Sequence, residues 1–331
     1  MFAEVTVTML KRVKHISLIA AVVVALSSPI GASAQVACLP AAQNGANSIA
    51  CFQLTDTANA TPDISIGGSN TGLAMGNLRS VWVDSAGNYY ASLDSTDAFL
   101  SFAPGANGNM APSSTITGSK LTSGHPYRIV TDAGGNIWSA SYTSNTIAEY
   151  ARCASGTCNT PPSVMFGGSN TQLNEPDAIA FDPDGNLWVA NVGSNTLTEF
   201  TAAQLKSGGN VAPAGKTISG DATELNFPYD LAIDAAGNIY VANYSGNSVT
   251  VYDVGNQSGN VTPDQNIVGE ATLLRAPVGI AVDSSSNIYV SQNGTLLSFA
   301  AGATGNVAPL ASGVLSCGFA LGRMGTTQPT Q

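Results

Sequence analysis

An all-β fold of six four-stranded sheets is expected from three features of this 331-residue chain. First, a pattern of two short apolar runs around a D-x-x-G-N turn recurs five times, at Asp84, Asp132, Asp182, Asp234 and Asp283. Second, the spacing of those aspartates is 48, 50, 52 and 49 residues. Third, charged residues make up only 10% of the chain against 44% apolar, with 35 glycines. That composition argues against a coiled coil and against disorder. Four short strands per period of about 50 residues is how a propeller blade is built.

The chain is expected to begin with an address label. Lys11, Arg12 and Lys14 precede an apolar run from Ile16 to Leu26, and Ala32-Ser33-Ala34 offers a cleavage site. Basic, then apolar, then A-x-A is the form of a secretory signal, and the run is too short to span a bilayer. Residues 1–34 are therefore read as a signal peptide, and 35–331 as one domain. Cleavage leaves 20 of the 21 acidic and 8 of the 11 basic side chains. Such an acidic chain is a poor partner for nucleic acid or an anionic membrane surface. An exported protein, periplasmic or extracellular, with no integral membrane segment is expected, and a monomer.

Each turn places its own strands. The Asp side chain accepts hydrogen bonds from the turn backbone, and the Gly takes the left-handed position of a bulged hairpin. Ser286 replaces that Gly in the last copy, so a looser turn is expected there. Strand A enters the Asp and strand B leaves the Asn. Strand B carries an aromatic two residues after the Asn: Tyr90, Trp138, Trp188, Tyr240 and Tyr289. Strand C ends on Phe102, Tyr150, Phe200, Tyr252 and Phe299, and strand D on Ile116, Phe166, Ile218 and Ile267. Aromatics that recur in every copy are read as packing between blades.

The two ends complete one another. NSIACFQL from Asn47 matches NSVTVYDV from Asn247, and TPDISIGG from Thr61 matches TPDQNIVG from Thr262. These are strands C and D of a blade without its strand A, and Val36 to Ala41 offers its strand B. SCGFALG from Ser316 matches the strand A pattern PVGIAVD from Pro277. Residues 36–73 plus 313–323 therefore form a shared blade, with five full blades over 74–312. Pairing of N- and C-terminal strands would close the ring and leave no sheet edge.

The pattern P-x-x-I-A-x-D-x-x-G-N-I-Y-V-A-N, best in Pro228 to Asn243 and Pro277 to Val290, resembles the NHL repeat of six-bladed propellers. The resemblance covers about residues 75 to 300. It implies a fold and not an activity, since one scaffold hosts many functions.

Five cysteines lie beyond the signal. Cys153 and Cys158 flank a short C–D loop and are expected to pair. Cys38 and Cys51 fall on strands B and C of the shared blade and are the second expected pair, leaving Cys317 free. The rival pairing joins Cys38 or Cys51 to Cys317 across the closure.

Propellers usually bind at the mouth built by the D–A and B–C loops. Here the D–A loops carry Arg79, His125, Tyr127, Arg128, Glu175, Asp177, Phe227, Tyr229, Asp230 and Arg275. The B–C loops carry Asp94, Asp97, Tyr142, Asn191, Asn243, Tyr244 and Asn293. Arginines, acids and tyrosines on one rim suit a polar ligand, a peptide or a cell-envelope component. An alternative is a solvated rim in which Arg79 or Arg128 pairs with Asp177 or Asp230 across the channel.

The residue inventory limits the enzyme readings. Amidating lyases that resemble NHL propellers hold zinc through several histidines, and the processed chain has only His125, which excludes that site. Streptogramin lyases also lean on histidine, and His125 could serve. Gluconolactonases, also six-bladed, hold a divalent cation at the mouth. Glu175, Asp177 and Asp230, with Asn191 or Asn243, would supply oxygen ligands for Ca²⁺, and Pro176-Asp177-Ala178 resembles that family's P-D-G segment. The leading expectation is a binding platform that needs no cofactor. The alternatives are a Ca²⁺-dependent lactonase or esterase and a lyase using His125.

Overall fold

The computed structural model describes residues 22–25, 35–43, 46–53, 62–75, 78–118, 126–253, 255 and 257–314. Six antiparallel sheets follow one another along the chain. The first contains β1 (Val22–Ala25), β2 (Gln35–Gln43), β3 (Ala46–Gln53) and β4 (Ile64–Gly67). The second contains β5 (Leu78–Val83), β6 (Tyr89–Leu93), β7 (Ala98–Phe102) and β8 (Ser114–Thr117). The third begins with β9 (Pro126–Thr131), β10 (Ile137–Ser141) and β11 (Thr146–Tyr150). Then β12 (Gly156–Cys158) leaves to lie parallel to β8, and β13 (Val164–Gly167) completes the third sheet.

The fourth sheet holds β14 (Pro176–Phe181), β15 (Leu187–Asn191), β16 (Thr196–Phe200) and β17 (Thr217–Ile218). The fifth holds β18 (Pro228–Ile233), β19 (Asn238–Asn243), β20 (Ser248–Asp253) and β21 (Gln265–Val268). The sixth holds β22 (Gly279–Val282), β23 (Ile288–Gln292), β24 (Thr295–Phe299) and β25 (Ala311–Val314). Innermost strands neighbour one another in the order β1, β5, β9, β14, β18, β22 and back to β1. The fold is a six-bladed β-propeller.

The closure differs from expectation. The strand A place of the first blade is taken by β1, with Val22 facing Cys38 and Val24 facing Val36. Those residues come from the apolar run read as the signal, so β1 holds this place in the full-length chain and cleavage after Ala34 would vacate it. The C-terminal segment expected in that place, residues 316–322, lies outside the described residues.

The hairpins form as their chemistry dictates. Asp84 Oδ1 accepts the N–H groups of Ala86 (3.0 Å) and Asn88 (2.8 Å). Each repeat aromatic then adds a bond to the other carboxylate oxygen. Tyr90, Trp138, Trp188, Tyr240 and Tyr289 donate to Asp84, Asp132, Asp182, Asp234 and Asp283 at 2.9–3.3 Å. The recurring aromatics thus lock the turns as well as packing the blades. Ser286 does not loosen its turn. It adopts φ 61° and its N–H reaches the Asp283 carbonyl at 2.9 Å, as Gly237 does with Asp234 at 3.0 Å.

The apolar cores lie between sheets. Trp82 and Phe99 of the second blade share one cluster with Ile129, Trp138 and Tyr150 of the third and with Ile179 of the fourth. Side-chain staples join blades at the periphery. Asn109, Asn210, Asn260 and Asn306 each accept, on Oδ1, a backbone N–H from the preceding blade at 2.7–2.9 Å. Each also packs under a glycine of that blade; at Gly220 (φ +112°) a Cβ would stand 2.6 Å from Asn260. Only glycine fits there.

Both expected disulfides are present, Cys38–Cys51 and Cys153–Cys158. The rival pairing of Cys38 or Cys51 with Cys317 is overturned, because the β2–β3 register sets Cys38 and Cys51 opposite each other. Cys317 lies outside the described residues. Disulfides suit an oxidising compartment. Among the described residues no helix is long and apolar enough to cross a membrane.

Candidate functional site

Four inner strands carry the same irregularity. Opposite strand B, the pairing skips Arg79 in β5, Tyr127 in β9, Asp177 in β14 and Tyr229 in β18. A β-bulge re-aims side chains, and these four stand at the D–A end of the channel. The bulges bring together residues that are about 50 positions apart in sequence.

Above the channel is an aromatic and basic layer. The Arg79 guanidinium lies 4.0 Å over the Tyr127 ring, and its Nε pairs with Asp94 Oδ2 at 2.8 Å. Tyr127 stacks on Tyr142 with centroids 5.2 Å apart, and the Tyr142 hydroxyl donates to Glu175 Oε2 at 2.7 Å. A second group gathers Phe227, Tyr229 and Tyr244, with Tyr229 and Tyr244 centroids 5.4 Å apart. Burial raises the Tyr229 phenol above its ordinary value, and the Arg79 charge partly opposes that.

Below this layer is a buried ion pair. Arg128 Nη2 lies 3.2 Å from Asp230 Oδ1, with side-chain exposures of 1% and 0%. Asp230 also accepts the N–H groups of Leu231 and Ile280, each at 3.0 Å. Burial pushes the Asp230 carboxyl up to about 7, against the opposing pull of Arg128. Burial lowers the Arg128 guanidinium. Its Nε and Nη1 are buried and make no hydrogen bond.

The remaining expected residues divide plainly. Asn191 and Asn243 are buried and serve the scaffold. Asn191 accepts the Asn174 N–H and donates to Thr198, and Asn243 accepts the Asn226 N–H and donates to Thr250. Arg275 is exposed and donates to the Leu274 carbonyl at 2.7 Å. Asp177 is buried near the mouth. His125 lies outside the described residues. Glu175, Asp177 and Asp230 do not gather as a calcium set: among the described residues no three His, Cys, Asp or Glu side chains form a metal-holding group. The first is engaged by Tyr142 and the third by Arg128. Sequence reading missed the tyrosine stacks, although Tyr127, Tyr142, Tyr229 and Tyr244 all fell within the expected loops.

The class of protein is therefore a six-bladed β-propeller with an aromatic, arginine-bearing mouth above a buried ion pair. Comparison with known proteins agrees on the fold. A lactonase family with a seven-bladed β-propeller matches residues 164–275. No curated protein matches the chain. A solved protein assigned as a 6-phosphogluconolactonase from Bacteroides fragilis is similar at 16% identity, covering 87% of this chain and 83% of that one, with a TM-score of 0.57. Virginiamycin B lyase from Staphylococcus aureus is similar at 14% identity, covering 81% and 78%, with a TM-score of 0.54. A protein from Lactobacillus plantarum gives 14% identity, 89% and 84% coverage and a TM-score of 0.56. Likeness at this identity establishes the propeller and no more.

Proposed function

We propose that the chain is an exported, NHL-type propeller whose mouth binds a polar ligand, peptide or cell-envelope component without transforming it. The observation that carries this is the pair of tyrosine groups at the mouth, one of them capped by Arg79. Stacked rings offer flat apolar faces with polar edges, and a guanidinium adds a directed donor. The acids nearby are already engaged: Asp94 by Arg79, Glu175 by Tyr142, Asp230 by Arg128. Rigid blades with variable loops are suited to such presentation. Calorimetric titration with soluble muropeptides and short aromatic peptides tests it. Binding should vanish in the Tyr127→Ala/Tyr229→Ala variant, and binding that survives this change would move the site elsewhere.

A second reading, hydrolysis of lactone-like esters, is supported by the family match over residues 164–275, which contain Glu175, Asp177 and Asp230. The carboxylates do not fit a calcium ion as they stand, so no calcium-dependent step is derived. Turnover of a simple lactone, absent from Asp177→Asn, would support this reading.

A further inference from the structure

The opposite end of the channel carries a separate feature. A groove of about 820 Å³ crosses the A–B hairpins and outer loops of the second, third and fourth blades. That volume lies within the roughly 300–1,000 Å³ of ligand pockets. Its walls include Trp82, Tyr90, Trp138 and Phe181.

Of the three turn carboxylates in this groove, Asp84 and Asp182 are fully satisfied by their own hairpins and Asp132 accepts three bonds from its own. Asp84 accepts from the N–H groups of Ala86 and Asn88, the Asn88 amide and the Tyr90 hydroxyl. Asp182 accepts an equivalent set of four. Two carboxylate oxygens with four donors have no lone-pair direction left for a ligand. These acids hold the fold.

What is left over is the Asp184 carboxylate and two cations. Among the described cations, Arg79 and Arg128 are in ion pairs, while Arg275 and Lys216 donate to the carbonyls of Leu274 and Gly255. Arg152 and Lys206 make neither kind of contact with their side-chain nitrogens, and both line this one groove. Arg152 is held in place rather than trailing in solvent. Its backbone N–H bonds Asn136 Oδ1 at 3.2 Å, its Cδ lies 3.3 Å from where a Cβ on Gly135 would be, and the next residue is clamped in the Cys153–Cys158 disulfide.

The groove is also where the repeat is broken. Trp82 stands where the other blades have Val130, Ala180, Ala232 and Ala281. Asp184 replaces the small residues Ala86, Gly134, Ala236 and Ser285, and Arg152 replaces Pro104, Ala202 and Ala301. Residues shared by all blades build the fold. Trp82 still packs the core, but the two exposed departures that meet at this groove, Arg152 and Asp184, have another use.

From this we infer that the groove is a second binding site, distinct from the mouth, for a saccharide carrying a carboxylate. Its acid group meets Arg152 and Lys206 in charge-assisted hydrogen bonds. Asp184 accepts from the hydroxyls, and the buried Trp82 and Trp138 form the floor beneath, close enough to report binding. The net charge of −10 disfavours a dense polyanion such as nucleic acid and favours a ligand with sparse acid groups.

The test is tryptophan fluorescence of the full chain titrated with tri-galacturonate, its methyl ester, and a hexaglutamate peptide. Tri-galacturonate should give saturable quenching. The ester should bind at least tenfold more weakly, and the peptide should not compete. Arg152→Gln/Lys206→Gln, two exposed changes, should weaken binding tenfold or more with an unchanged circular dichroism spectrum, and Tyr229→Ala should leave it intact. No saturable signal with tri-galacturonate overturns the site. Equal binding of the peptide overturns the ligand class, and loss on Tyr229→Ala assigns the ligand to the mouth instead.

Discussion

Arg128 of β9 and Asp230 of β18 form an ion pair of 3.2 Å across the channel, skipping the whole fourth blade. The Ile280 N–H, from β22, bonds the other oxygen of Asp230 at 3.0 Å. One carboxylate therefore ties three blades together at the axis. Removing one partner leaves a buried charge without compensation. Arg128→Ala should cost about 3–5 kcal/mol, read by urea denaturation, whereas Arg128→Met/Asp230→Leu should recover most of the loss. Equal destabilisation by the single and double variants would show that the pair is not what matters there.

Stability should fall as pH rises from 5 to 8. Burial raises the carboxyls of Asp230, to about 7, and of Glu149 and Glu199. Over this range the folded chain holds protons that the unfolded chain has released. The stabilisation from that source is complete below the unfolded values and lost as pH passes through the folded ones. Thermal melts in constant ionic strength should show the decline, and Asp230→Asn should flatten much of it. A melting temperature that climbs over this interval contradicts the assignment.

Non-reducing peptide mapping should find Cys38 joined to Cys51, Cys153 joined to Cys158, and Cys317 open to alkylation. Opening the first bridge by Cys38→Ala/Cys51→Ala should lower stability by about 2–4 kcal/mol. A Cys317-containing disulfide within the chain would refute the pairing.

The staple between the fourth and fifth blades can be tested from both sides. Asn260→Ala removes the acceptor of the Ala222 N–H and should cost about 0.5–1.5 kcal/mol. Gly220→Ala forces a Cβ against Asn260 at φ +112°, and about 1–3 kcal/mol is expected from the backbone alone. The double variant should cost less than the sum, because the clash is relieved.

Millimolar Ca²⁺ should leave the melting temperature unchanged, since Glu175 and Asp230 are spoken for by Tyr142 and Arg128. A rise reversed by chelator would, by mass action on the folded state, reinstate a cation at the mouth. His125→Ala with unchanged turnover of any substrate found would remove the histidine-dependent lyase.

Much of the architecture was written locally. A D-x-x-G-N turn makes its bonds within five residues, so Asp84 and its four sisters marked five of the six blades. Strand order offered Cys38–Cys51 beside a rival pairing with Cys317, and the β2–β3 register decided between them. The expected looseness at Ser286 was wrong because a hairpin with its other bonds intact can hold a serine at positive φ. Asn191 and Asn243 looked like rim ligands because sequence shows that a side chain sits near a loop. It does not show that both ends of the amide are already bonded.

The amino-acid sequence by itself determined the repeat, the blade number and the hairpins, since all of these depend on contacts close in the chain or on periodic matching, but it left two pairings open for Cys38 and Cys51. Tertiary structure decided which strand fills the inner place of the first blade and which arginine meets which acid. It also decided that Arg152 and Lys206 share a groove away from the mouth. Those relations join residues tens of positions apart, and only the curvature of the closed ring sets their distances.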